Sequence, residues 1–248
     1  PSNSSAASDV YKRQDKQGAG FGVQMSDSPE SDTQGRDSEG CSRRPGEERQ
    51  HLQAAGSQYG WMADSRPETM IRDAKESALH LGVDTLDLLY SHGPDPAVPY
   101  EDQCGALKQL LDEGVIKYAG ISRVNNEQID LARGIIGSGL VAVQNQFSPS
   151  HPDPEHTMEH CAELGLAFVC WSPLGGFLDT FDQSAYDPFR TVAAQRGCSY
   201  QRVVLAWELT RYERLFTIPS ARNPQEINDS FAATQLQLTQ EELAMLPC

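Results

Sequence analysis

Basic residues are scarce in this sequence of 248 residues. It has 20 Lys and Arg residues against 35 Asp and Glu residues, which gives a net charge of -15 at pH 7. Nucleic acids and anionic membrane surfaces are bound by clustered cations, so this charge argues against both as the main partner. It does not exclude a small anionic ligand, because a few local donors can hold one.

Long apolar runs and paired cysteines are also missing. No stretch approaches the roughly 20 apolar residues of a membrane span, and the N-terminus lacks the charged-then-apolar pattern of a signal peptide. The six cysteines lie far apart without a CxxC pair, which is typical of reduced thiols. These features predict a cytoplasmic protein without a membrane partner. The histidines and cysteines fit no zinc spacing, so no metal site is predicted.

Aliphatic residues are almost missing from residues 1–58, which are rich in Ser, Gly, Gln, Asp, Glu and Arg. Such a segment cannot bury enough apolar surface to offset its ordering entropy, and we predict that it is disordered. Residues 59–248 alternate short apolar runs with helical patterns. This β-α-β-α order predicts a parallel sheet.

The apolar runs predict five strands and the periodic segments predict seven helices. The strands are Thr85–Tyr90, Tyr118–Ile121, Val141–Asn145, Ala167–Trp171 and Leu215–Ile218. The helices are Pro67–Leu81, Glu101–Glu113, Asn126–Gly137, Glu155–Leu164, Asp187–Arg196, Tyr200–Thr210 and Pro224–Leu236. Ser65 and Asn223 are the predicted N-caps of the first and last helices. The even spacing of the first four strands is typical of a (β/α) barrel.

Each predicted strand ends in side chains that can form hydrogen bonds. In chain order, these ends are Ser91-His92, Ser122-Arg123, Gln144-Asn145, Trp171-Ser172 and Ser220 to Arg222. In a (β/α) barrel the chemistry lies at the carboxyl ends of the strands. We therefore expect the functional site at this end of the sheet.

Five segments that contain these strand ends resemble the second half of an aldo-keto reductase. They are DTLDLLYSH, GVIKYAGIS, VAVQNQFSP, LGLAFVCWSPLGG and FTIPSARNPQEINDS, in this order. The resemblance runs from about Ser65 to Leu246. It implies an α/β fold of the (β/α)8 TIM barrel type, incomplete here, and an NADP(H)-dependent enzyme that reduces an aldehyde or ketone to an alcohol.

The resemblance also implies a role for each strand end. His92 matches the histidine that points at the substrate carbonyl, and Ser122 and Gln144 match the side chains that bind the nicotinamide carboxamide. Trp171 takes the place of the aromatic residue that stacks on the nicotinamide ring. The other matches are Ser172, Pro173 and Leu174 along the pyrophosphate, Ser220 and Arg222 near the 2′-phosphate, and Glu226, Asp229 and Ser230 around the adenine.

These residue types suit those roles chemically. Ser and Gln together offer the donor and acceptor that a carboxamide needs. A flat ring packs on an aromatic platform, and a phosphate is attracted by a guanidinium at the start of a helix. Three residues depart from the resemblance. The family usually has Asn at the positions of Arg123 and Ser230, and it commonly has a further Gly at the position of Phe177.

The resemblance fails upstream of Ser65. The family's catalytic Tyr lies in a D-x-x-x-x-Y-G context, but Ala54 stands five residues before Tyr59-Gly60, and no Lys lies between Lys16 and Lys75. Our hypothesis is that residues 1–58 are non-native sequence in front of a partial barrel. We expect impaired activity and marginal folding. The rival interpretation is a non-catalytic NADPH-binding or regulatory protein of the same fold. The sequence does not identify the specific carbonyl substrate or the oligomeric state.

Overall fold

A computed structural model describes the backbone of residues 23–25, together with residues 64–175 and 182–247. The described residues form one sheet of six parallel strands, in which each strand pairs with its neighbours in chain order. The strands are β1 (Val23–Met25), β2 (Leu86–Ser91), β3 (Ile116–Ser122), β4 (Leu140–Gln146), β5 (Ala167–Trp171) and β6 (Leu215–Ile218). The predicted parallel α/β architecture is confirmed.

Eight α-helices connect or follow these strands within the described ranges. They are α1 (Pro67–Leu81), α2 (Tyr100–Asp112), α3 (Asn126–Ile136), α4 (Thr157–Glu163), α5 (Asp187–Arg196), α6 (Tyr200–Leu209), α7 (Pro224–Ala232) and α8 (Gln240–Leu243). Short 3₁₀ helices cover Gly137–Gly139, Gln183–Tyr186 and Ala233–Gln235. No helix in the described part of the chain is long and apolar enough to cross a membrane.

All five predicted strands are present, with ends that differ by at most two residues. β1 was not predicted from the sequence, and it pairs in parallel with β2. It lies within the segment that was expected to be disordered. The other residues of that segment lie outside the described residues.

The predicted helices are also present, with ends that differ by up to four residues and with two differences in local structure. The predicted cap Ser65 is wrong, since Arg66 occupies the N-cap position of α1 without a side-chain cap bond. The Ser65 N–H instead donates to the carboxylate of Asp95 at 3.1 Å. The predicted last helix changes to 3₁₀ geometry at Ala233. Its predicted cap is confirmed, because the Asn223 side chain accepts from the Glu226 N–H.

Both faces of the sheet carry apolar side chains, as expected for strands that read as continuous apolar runs. One face packs against the helices through a large cluster that includes Leu89, Ile121 and Phe168. The opposite, inner face holds a smaller cluster of Leu88, Tyr90, Ala142 and Val169. The helices therefore cover one side of the sheet, and the carboxyl ends of the strands form a common edge.

Candidate functional site

The register of the sheet aligns the carboxyl ends of β2 to β6. Ser122 is paired with Gln144, and Gln146 is paired with Trp171 on the next strand. Trp171 is in turn paired with Ile218 of β6. Adjacent parallel strands lie about 4.8 Å apart, so these side chains share one edge of the sheet, as the sequence predicted.

Ser122 and Gln144 form the buried centre of this edge. Each is 1% exposed. The Ser122 hydroxyl donates to the Gln144 backbone carbonyl at 2.7 Å, which leaves the hydroxyl oxygen able to accept. Among the described residues, nothing hydrogen-bonds to the buried Gln144 Oε1. A buried acceptor without a donor costs about 1–3 kcal/mol, so this pair is arranged to receive N–H groups from a ligand.

His92 is the first residue after β2, and its loop is anchored by groups that the sequence reading missed. The Asp95 carboxylate accepts from the backbone N–H groups of Ser65 at 3.1 Å and Ala97 at 2.8 Å. The Gln103 side chain binds the backbone N–H and carbonyl of Asp95. The sequence signal for this anchor is Asp95, which stands between two prolines in SHGPDP. These bonds tie the His92 loop to α1 and α2.

A tight turn follows β5 at the predicted pyrophosphate loop. Ser172 has a left-handed backbone with φ 48°, and its carbonyl accepts from the Gly175 N–H at 2.8 Å. Pro173 is buried and Leu174 packs against the helical core. Trp171 is half-buried directly before this turn. The aromatic side chain and the turn are thus placed side by side.

Arg222 and Glu226 pair at the start of α7. The guanidinium lies 3.0 Å from the Glu226 carboxylate, and the Arg222 backbone N–H donates to the same carboxylate at 2.8 Å. These contacts lower the pKa of Glu226. Ser220 is exposed nearby. The charge of Arg222, a predicted phosphate contact, is therefore partly compensated by Glu226.

Asp229, a predicted adenine contact, is bonded to groups at the start of α6. Its carboxylate accepts from the Ser199 hydroxyl and from the Arg202 guanidinium. Ser230 is half-buried on the same helix. Asp229 therefore connects α7 to the start of α6.

The buried thiol beside Trp171 is not set up as a nucleophile, and the described residues hold no metal-ligand cluster. Burial raises the pKa of the Cys170 thiol well above its usual range, and this thiol donates to the Phe147 carbonyl at 2.8 Å. The described part of the chain contains no cluster of three or more His, Cys, Asp or Glu side chains suited to a metal. Tyr59 and Phe177 lie outside the described residues.

Comparison with known proteins matches this chain to one enzyme family. Residues 49–247 match the Aldo/keto reductase family. Over 198 residues the chain is 28% identical to pyridoxine 4-dehydrogenase of Escherichia coli, which covers 77% of this chain and 67% of that protein. It is 27% identical over 209 residues to the aldo-keto reductase str7 of Strobilurus tenacellus, covering 72% of this chain and 62% of that protein. The chain thus spans about two thirds or less of the length of these relatives.

A solved structure shares the fold at lower identity. The Bombyx mori aldo-keto reductase in complex with NADP superposes with a TM-score of 0.62 at 22% identity, covering 77% of this chain and 68% of that chain. The likeness supports the same strand and helix arrangement in both proteins.

Proposed function

This chain belongs to the aldo/keto reductase family, and we propose that it binds NADP(H) at the carboxyl edge of its sheet for the reduction of an aldehyde or ketone to an alcohol. The observation that carries the proposal is the buried Ser122–Gln144 pair. Its unsatisfied amide oxygen fits the N–H groups of a nicotinamide carboxamide. Similar structures solved in complex with NADP and with NADPH support the choice of cofactor.

The side chains around this pair suit the rest of the nucleotide. Trp171 offers an aromatic surface for the nicotinamide ring. The turn after Trp171 offers backbone groups along the pyrophosphate, and Arg222 offers a guanidinium for the 2′-phosphate. When bound, the cofactor supplies the hydride for the carbonyl carbon.

His92 is the proposed contact for the substrate oxygen. It lies at the end of β2, and the Asp95 and Gln103 bonds hold its loop in place. An imidazole N–H at this position can hydrogen-bond the carbonyl oxygen and polarise it. The family's proton-donating Tyr has no assigned counterpart in the described residues, so we propose that turnover by the chain as written is impaired. The four described cysteines are free thiols, in keeping with a proposed cytoplasmic location.

Titration with NADPH, followed by quenching of tryptophan fluorescence, tests the proposal. We expect saturable quenching that is lost when Trp171 is replaced by Phe. Gln144→Met should weaken NADPH binding by roughly tenfold, because a buried hydrogen-bond partner is removed. Gln109→Met makes the same change at an exposed position of α2 and should leave the affinity unaltered.

The alternative outcomes separate the possible functions. Absence of saturable binding to the unaltered chain would overturn the proposal. Binding without carbonyl-dependent oxidation of NADPH fits both an impaired reductase and a non-catalytic nucleotide-binding protein. A restored native N-terminus that carries Asp, Tyr and Lys would favour the enzyme, and one that lacks the Tyr would favour the non-catalytic protein. Arg222→Gln should reduce any preference for NADPH over NADH, because the 2′-phosphate would lose its cation.

A further inference from the structure

Arg123, the residue that follows β3, has a strained backbone that two strands hold in place. Its φ is 56°, a left-handed conformation that costs a non-glycine residue about 1 kcal/mol or more. The Arg123 N–H donates to the Gln144 carbonyl at 3.1 Å. The Asn145 side chain then clamps the next residue, accepting from the Val124 N–H at 3.1 Å and donating to the Val124 carbonyl at 2.7 Å.

This conformation sends the Arg123 side chain across the candidate site. Its Cδ lies 3.5 Å from where a Cβ on Gly93 would be, beside His92. Its guanidinium lies 5.4 Å from the centroid of the Trp171 ring. The side chain therefore runs from the histidine loop to the proposed nicotinamide platform.

The charge of Arg123 is not compensated by any carboxylate in the described ranges. Acids outnumber bases by 35 to 20 in this chain, and six other arginines are paired with Asp or Glu. These are Arg66, Arg72, Arg190, Arg196, Arg202 and Arg222. Arg123 contacts an aromatic ring, and its five N–H donors leave room for an anion.

We propose that Arg123 selects substrates that carry a carboxylate near the reacting carbonyl, so that the chain acts on oxo acids. The inference rests on the proposed function. His92 binds the carbonyl oxygen, and the Arg123 guanidinium pairs with the carboxylate on the same edge of the sheet. Arg–carboxylate pairs are often bidentate, and their geometry fixes orientation as well as affinity. The Arg123 side chain is exposed, so a carboxylate can reach it from solvent.

The test uses the full chain saturated with NADP⁺ and compares benzoylformate with its neutral methyl ester by calorimetric titration. We expect the acid to bind up to about fivefold more tightly than the ester, because an exposed guanidinium–carboxylate pair contributes modestly. Arg123→Gln should remove this discrimination between acid and ester. Arg211→Gln is the matched control, since Arg211 also lies over a tryptophan, Trp207, at 5.5 Å.

Several outcomes would overturn the inference. Equal binding of acid and ester, or discrimination that survives in Arg123→Gln, would show that the guanidinium does not bind the carboxylate. A large change of NADP⁺ affinity in that variant, with unchanged discrimination, would assign Arg123 to the nucleotide. Failure of the unaltered chain to bind NADP⁺ would instead overturn the proposed function on which this inference depends.

Discussion

Glu208 shows how one residue can lower the stability of an otherwise apolar helix. It is 0% exposed on α6, and within the described residues neither of its carboxyl oxygens has a hydrogen-bond partner. Burial raises the pKa of this acid well above its usual range, because desolvation disfavours the charged form. The folded protein therefore holds Glu208 as the neutral acid, and this position weakens the fold.

Replacing Glu208 by Leu should stabilise the protein. The folded acid stays protonated while the unfolded chain ionises near the usual pKa of 4.5. The neutral acid contributes fully to stability below the pKa of Glu208 in the unfolded chain. This contribution is lost as the pH rises toward the pKa of Glu208 in the folded protein. We expect Glu208→Leu to raise the free energy of unfolding by about 1–3 kcal/mol at neutral pH. Urea unfolding between about pH 5 and about pH 8 measures this.

The exposed acid Glu163 at the end of α4 offers the control. Glu163→Leu should leave the slope of stability against pH as it is in the unaltered chain. If the free energy of unfolding changed with pH by the same slope in the unaltered chain and in Glu208→Leu, Glu208 would not be the destabilising group.

The same residues show what could be read from the sequence and what could not. Ser122 and Gln144 could be proposed as site residues from the sequence because each interrupts an apolar run at a point where parallel strands end together. The direction of the Arg123 side chain could not, since it depends on a clamp from Asn145 on another strand. The burial of Glu208 could not be predicted either, because acids on a helix usually face solvent.

At the level of elements, the pairing of β2 with β3 depends on a glycine. Tyr90 and Gly120 are register partners, and a Cβ on Gly120 would lie 2.3 Å from the Tyr90 ring. The ring is fully buried on the inner face and cannot move aside without disturbing Ser91 and His92. The close approach of these strands therefore also positions the histidine.

Gly120→Ala should destabilise the protein by about 1–3 kcal/mol, because overpacking forces a rigid ring and backbone apart. Gly105 on α2 is the matched control, since a Cβ there has nothing within 4 Å. Gly105→Ala should stabilise by about 0.5–1 kcal/mol through helix propensity. Thermal unfolding of both variants measures the difference, and a neutral Gly120→Ala would contradict the packing argument.

The boundaries of the elements were less predictable than their existence. The pattern placed the start of α4 at Glu155, but the helix begins at Thr157. The Asp153 carboxylate accepts from the Met158 N–H at 2.9 Å, and the preceding His156 is left-handed at φ 54°. β1 is three residues long, too short to give an apolar pattern that stands out from its surroundings.

For the whole molecule, the inner face of the sheet is incompletely covered. Tyr118 of β3 and Phe216 of β6 are 38% and 37% exposed, although both belong to strands whose other residues are mostly buried. Large apolar side chains that are exposed on a sheet face can contact other molecules. This supports our expectation that the chain as written is marginally folded and prone to self-association.

We expect the purified chain to bind a hydrophobic dye such as ANS and to form larger species at higher concentration. Replacing Tyr118 and Phe216 together by Thr keeps the strand propensity and should reduce both signals. Dye fluorescence and light scattering after size-exclusion chromatography measure them. A monomer at every concentration, with dye fluorescence equal to that of buffer, would contradict the prediction.

The order of the strands has a consequence for how the chain is synthesised. From β2 onward, every strand pairs with the one made just before it, so a newly emerging strand finds its partner already outside the ribosome. No later segment has to insert between two paired strands of this series. Each strand and its following helix can therefore join the growing edge of the sheet in turn. If synthesis stopped early, the released chain would form a shorter sheet in which the remaining strands keep the same register.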